Sequence, residues 1–177
     1  HIGDRRQRQM CIRDRFHCVP FLELDDGTVI SESISICRYL EEIYPNPALF
    51  GTTAETRAII DMWLRRFELD GFLPMLHAVR NHLENFKGRV IPGTRTDLPQ
   101  VPQMVTRGIE MGKMFLERVE PHMAENEFVA GSRFSVADIT AFFTIKLTTP
   151  LKIDINASYP GVAAWMDRMS KREAFNI

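Results

Sequence analysis

The segment from Val19 to Ser33, VPFLELDDGTVISES, limits most what this chain can fold into. Val19 to Leu24 reads as a strand. Asp26-Gly27 supplies the positive backbone angles of a two-residue turn, and Thr28 to Ser31 returns as a second strand. Ser33 then precedes Ile34, Cys37 and Leu40, apolar residues spaced along one face of a helix that runs to about Tyr44. Ser33 is therefore read as the helix cap. Pro20 has no N–H for a central ladder, which places it at the first position of the strand or on a cis bond in a bend. A cis bond there turns the peptide units around Val19 outward, where a second extended chain can hydrogen-bond to them. Hairpin and helix start together form a place for a small peptide-like anion.

The rest of the chain reads as helices. Tyr44 to Gly51 carries two prolines and a glycine, which suits a linker. After it, Ile60, Trp63, Leu64 and Phe67 fall on one side of a helix from about Ala54 to Phe86, bent or interrupted at Gly71 and Pro74. Lys87 to Pro102 is a loop. Val105, Ile109, Gly112, Leu116, Val119 and Met123 then step by three and four through a further helix. Gly108 and Gly112, one turn apart, leave room for another helix to approach. A last helix runs from Tyr159-Pro160 to about Ala174, with Val162, Trp165, Met166 and Met169 on one side.

Phe134-Ser135-Val136-Ala137-Asp138-Ile139 marks another helix start. Ser135 and Asp138 fit a capping box, and Phe134 can staple onto Ile139 across the first turn. Both residues are expected to be structural.

At 177 residues, 45% hydrophobic and 25% charged, the chain is of globular type, long enough for one domain or two small ones. A net charge of −1 gives no electrostatic footprint for nucleic acid or an anionic membrane. No apolar run approaches a membrane span and no signal peptide is visible, so a cytoplasmic setting is expected. Cys11, Cys18 and Cys37 show neither a disulfide framework nor metal spacing. His77, His82 and His122 have no partners at ligand spacing, so no metal is expected.

Val19-Pro20 before a strand and Glu32-Ser33 at a helix start resemble the cytosolic glutathione transferase family, as do the Ser135-Asp138 box and the Tyr159-Pro160…Trp165 segment. The resemblance covers the chain from about Cys18 onward. It implies an α+β, mainly helical fold: part of a thioredoxin-like domain, hairpin plus helix, over 16–46, a linker over 47–53 and an all-helical domain over 54–177. It also implies roles. The Val19 backbone pairs with the cysteinyl unit of glutathione, with Pro20 cis beside it. Ser33 holds the γ-glutamyl carboxylate and Glu32 faces the γ-glutamyl ammonium. Glutathione is the co-substrate and no further cofactor is implied. The activity is conjugation of its thiolate to an electrophile whose identity the sequence leaves open. Electrophile-side residues are expected near Leu64 and Phe67 and on the helix starting at Val101. A homodimer is implied for the parent protein. A non-catalytic binding or structural module of the same family is the alternative.

Residues 1–15 hold five arginines and two aspartates without apolar periodicity. They resemble an adapter or fusion scar and are expected to be non-native. Setting them aside moves the net charge from −1 to −4. The family's activating Tyr, Ser or Cys ends a first strand that precedes the matching segment, so it is expected upstream of this chain, leaving the chain inactive. Cys18 has no neighbouring base or helix start in the sequence to activate it.

Overall fold

A computed structural model describes residues 18–93 and 96–175. The expected non-native segment over 1–15, Cys11 included, lies outside the described residues. The architecture is α+β and mainly helical: a two-stranded hairpin and one helix, followed by helices to the end of the described chain.

Strands β1 (Phe21–Glu23) and β2 (Val29–Ser31) are antiparallel, with Phe21 opposite Ser31, Leu22 opposite Ile30 and Glu23 opposite Val29. The turn joining them is one residue longer than expected. The Leu24 N–H donates to Thr28 O and the Gly27 N–H donates to Leu24 O, both at 2.9 Å, which makes Asp25-Asp26-Gly27 the loop. Of the three, only Gly27 has a positive φ, 83°. The Asp26 carboxylate accepts the Thr28 N–H at 2.8 Å. That bond stabilises an ordinary turn on the two aspartates and leaves the left-handed position to glycine. It also holds the Asp26 carboxyl below its usual pKa.

Helix α1 (Ser33–Ile43) follows directly. The segment after it is tied down from both sides. Glu41 of α1 accepts the Leu49 N–H at 2.7 Å and the Phe50 N–H at 3.0 Å, while Leu49 O accepts the Val136 N–H at 3.1 Å. Arg38 of α1 pairs with Asp61 and lies 4.7 Å from the centroid of the Phe50 ring.

Helices α2 (Ala54–Arg66) and α3 (Leu73–His82) are joined by a π-helical turn, Phe67–Phe72, into one continuous run. The expected interruption at Gly71 and Pro74 thus takes the form of a widened turn. In it the Leu73 N–H reaches Glu68 O, five residues back. Pro74 follows directly, and because the run is continuous its missing N–H removes one bond from the ladder at the widened turn. At Gly71 the backbone is approached so closely that a Cβ would stand 2.6 Å from the Phe115 ring and 2.9 Å from Thr144 Cγ2. The run ends at His82 rather than Phe86, because Leu83 is extended.

Among the described residues four more α-helices follow: α4 (Pro102–Glu125), α5 (Val136–Lys146), the single turn α6 (Ile155–Ser158) and α7 (Pro160–Ser170). Their shared core is built on Leu64, Phe67, Met75, Leu116, Ile145 and Trp165, all fully buried. Helix α4 meets α3 through Gly108 and Gly112, whose added Cβ atoms would stand 2.4 Å from Pro74 O and 2.7 Å from Met75 Cγ. The close approach expected of this glycine pair is therefore made by α3. Among the described residues no helix is long and apolar enough to cross a membrane.

Candidate functional site

The open end of the hairpin, opposite the aspartate turn, carries Val19, Pro20, Glu32 and Ser33. Continuing the observed register two steps beyond Phe21 and Ser31 leads to Val19 on one side and Ser33 on the other. The Val19–Pro20 bond is cis, and the Val19 residue is 58% exposed.

Ser33 is not the cap that the sequence suggested. The N-cap is Glu32, held at φ 70° and ψ 121°, and no side chain caps the helix. The left-handed turn at Glu32 brings the chain into the helix one residue early, so Ser33 takes the first helical position. The ladder begins with the Ile36 N–H to Glu32 O bond at 3.0 Å. The N–H groups of Ser33, Ile34 and Ser35 precede it and have no partner among the described residues. Ser33 and Glu32 are both exposed. Three unpaired amides, a free hydroxyl and the positive end of an 11-residue helix form an anion-binding arrangement.

Cys18 lies next to this end and has a neighbour that its sequence context hides. Burial lowers the pKa of Arg80, and electrostatic interaction with Cys18 opposes that shift.

The residues expected to face an electrophile are not available to one. Leu64 is 1% exposed and Phe67 is fully buried. Phe67 packs edge-on to Phe115 with ring centroids 5.0 Å apart. Exposed apolar residues of the same helical run include Leu69 and Leu73. With Met104 and Met111 of α4, and with His77 and Arg107, they line a groove of about 260 Å³. Periodicity identifies which residues share a face, but not which of two apolar faces the neighbouring helices cover.

Ser135 and Asp138 form the capping box that opens α5. The Asp138 Oδ2 accepts the Ser135 N–H at 2.8 Å and its hydroxyl at 3.1 Å, and Oδ1 accepts the Val129 N–H at 2.7 Å. Asp138 is fully buried. Burial raises its pKa, and the hydrogen bonds offset this only in part. His122 stacks on Trp63 with ring centroids 4.2 Å apart, and its Nε2 lies 2.8 Å from Val129 O. Among the described residues no group of three His, Cys, Asp or Glu side chains could hold a metal ion.

Two acids that the sequence reading passed over hold elements together. Glu41 binds the linker as described, and Glu120 of α4 accepts the Gly161 and Val162 N–H groups at 2.6 and 2.8 Å, capping α7 from a helix 41 residues earlier. No local pattern signals such a bond, since its two halves meet only in the folded chain.

Comparison with known proteins gives two family matches. "Glutathione S-transferase, N-terminal domain" matches residues 2–48, and "Glutathione S-transferase, C-terminal domain" matches residues 108–173. The first match begins inside the segment set aside on composition. A solved class Gtt2 glutathione S-transferase of Vibrio parahaemolyticus is 32% identical with a TM-score of 0.78, covering 94% of this chain and 74% of that one. A glutathione S-transferase domain-containing protein of Marinobacter aquaeolei is 31% identical with a TM-score of 0.79, covering 98% and 82%. Glutathione S-transferase 2 of Saccharomyces cerevisiae is 26% identical over 170 residues, which is 96% of this chain and 70% of that protein.

Proposed function

Because the chain belongs to the glutathione S-transferase family, we propose that the open end of its hairpin holds glutathione for conjugation to an electrophile. The Val19 backbone pairs with the cysteinyl unit as a one-residue added strand, beside Pro20. The hydroxyl and N–H of Ser33 hold the γ-glutamyl carboxylate, and Glu32 faces the γ-glutamyl ammonium. The observation that carries this reading is the start of α1, where three N–H groups and the Ser33 hydroxyl have no partner among the described residues. The electrophile, of unidentified kind, lies against Leu69, Leu73, Met104 and Met111, exposed apolar residues that line one groove between the helical run and α4.

None of the four glutathione contacts ionises the thiol, since each is engaged elsewhere on the peptide. This chain by itself is therefore expected to bind glutathione and to conjugate nothing above the uncatalysed rate. Calorimetric titration with glutathione and a conjugation assay with an aryl halide test both halves. Ser33→Ala should weaken binding about tenfold, the effect of losing one hydrogen bond to a charged group. Unchanged affinity in that variant would refute the site. Conjugation that disappears in Cys18→Ser would move the chemistry to Cys18. The protein is further proposed to form a homodimer, read by sedimentation as a mass near twice 20.4 kDa.

A further inference from the structure

Helix α1 carries the Ser33 site at its start and is tied to the rest of the chain by charged side chains toward its other end. None of its residues is buried. Ile34 packs against the core from a half-buried position, while Leu40 and Ile43 are 40% and 48% exposed. Apolar burial among the described residues therefore does little to fix the axis of the helix. Two charged side chains do that. The Glu41 Oε2 accepts the Leu49 N–H at 2.7 Å and Oε1 accepts the Phe50 N–H at 3.0 Å. Arg38, one turn earlier, pairs with Asp61 of α2 and lies against the ring of Phe50, itself part of the core. From Leu49 the connection continues, since its O accepts the N–H of buried Val136 at the start of α5.

The position of Glu41 works against the helix that carries it. A carboxylate in the last turn meets the negative end of the helix, and no basic residue in that turn offsets it. Its two bonds to the linker account for its presence there. Eight residues separate Ser33 from Glu41, about 12 Å of helix, so a tilt of α1 at Glu41 displaces the amides at Ser33. A site binds well only when its donors stay within about 0.5 Å of the productive geometry. We propose that Glu41 is a positioning residue for the anion site at Ser33: its hold on Leu49 and Phe50, with Arg38 beside it, sets the angle of α1, and filling the site strengthens that hold in return.

The proposal rests on the reading of Ser33 as part of the glutathione site, and its tests separate the two. In calorimetric titrations of the whole chain, Glu41→Ala should bind glutathione about tenfold more weakly than wild type, the effect of losing bonds to a charged group. Glu41→Gln, which keeps one acceptor oxygen, should fall between the two. Thermal melts establish that both variants are folded at the titration temperature. Hydrogen exchange on the wild-type chain needs no variant, and it decides alone if Glu41→Ala does not fold. Saturating glutathione should slow the Leu49 and Phe50 amides about tenfold, the reciprocal of the same coupling. It should leave unchanged the Gly161 and Val162 amides, which Glu120 holds by the same kind of paired bond outside α1. A Glu41 that only anchors the linker would lower the melting temperature and move neither readout. Wild-type affinity in folded Glu41→Ala, Leu49 and Phe50 amides unmoved by glutathione, or equal slowing at Gly161 and Val162 would each overturn the proposal and leave the glutathione reading standing. Wild-type affinity in Ser33→Ala would overturn both.

Discussion

Gly108 and Gly112 occupy equivalent positions one turn apart on α4, yet alanine should affect them differently. A Cβ at Gly108 would stand 2.4 Å from Pro74 O and 2.8 Å from Ala78 Cβ. The first is backbone carbonyl and the second is the root of a side chain, so neither can turn aside and the helices must separate. A Cβ at Gly112 would stand 2.7 Å from Met75 Cγ and 2.9 Å from its sulfur, both on a side chain with rotatable bonds. Each substitution gains about 1 kcal/mol of helix propensity. Against that gain, overpacking a close contact costs about 1–3 kcal/mol, with Gly108 at the upper end. The net expectation is a loss of about 2 kcal/mol for Gly108→Ala and a change within about 1 kcal/mol for Gly112→Ala. At about 2–4 °C per kcal/mol for a chain of this size, the first should melt roughly 4–8 °C below wild type. Differential scanning calorimetry with urea titrations reads both. A loss in Gly112→Ala equal to or larger than that in Gly108→Ala would refute the argument that the kind of atom met, backbone or flexible side chain, decides the cost.

Other outcomes follow from buried acids and helix ends. Asp138→Ala leaves the Val129 and Ser135 N–H groups without their acceptor inside the core, so a loss of about 3 kcal/mol is expected, and an unchanged melting temperature would mean that the box does not hold α5. Because burial lifts the Asp138 carboxyl above its ordinary 3.8, the folded state keeps that proton at a pH where the unfolded chain has released it. Its contribution to stability is therefore greatest below pH 3.8 and falls as pH rises through the folded value; urea melts against Asp138→Asn should show that slope in wild type alone. Glu120→Ala should cost about 1–2 kcal/mol by freeing the two N–H groups at the start of α7, with faster amide exchange at Gly161 and Val162 as its local sign.

Local chemistry explains which parts were legible beforehand. A proline that cannot donate, an Asp-Gly turn, a serine-aspartate box and apolar residues every three or four positions each act through neighbours in the chain. They specify the hairpin and the helices, and they leave Pro20 between a strand start and a cis bend. Even there the details depended on one hydrogen bond: Asp26 binding the Thr28 N–H lengthens the turn to three residues, and the left-handed Glu32 takes the cap position from Ser33.

From its sequence alone, then, this chain is determined to be a hairpin and helix followed by a helical domain, with an anion-holding helix start at Ser33 as an expectation. Only the tertiary structure decided which apolar residues are open, burying Leu64 and Phe67 while leaving Leu69 and Leu73 exposed. It alone brought Glu41 to the linker and Glu120 to α7. Periodicity records that a residue is apolar and on which face it lies. Which face is covered, and which distant charge comes near, is settled by how the helices pack.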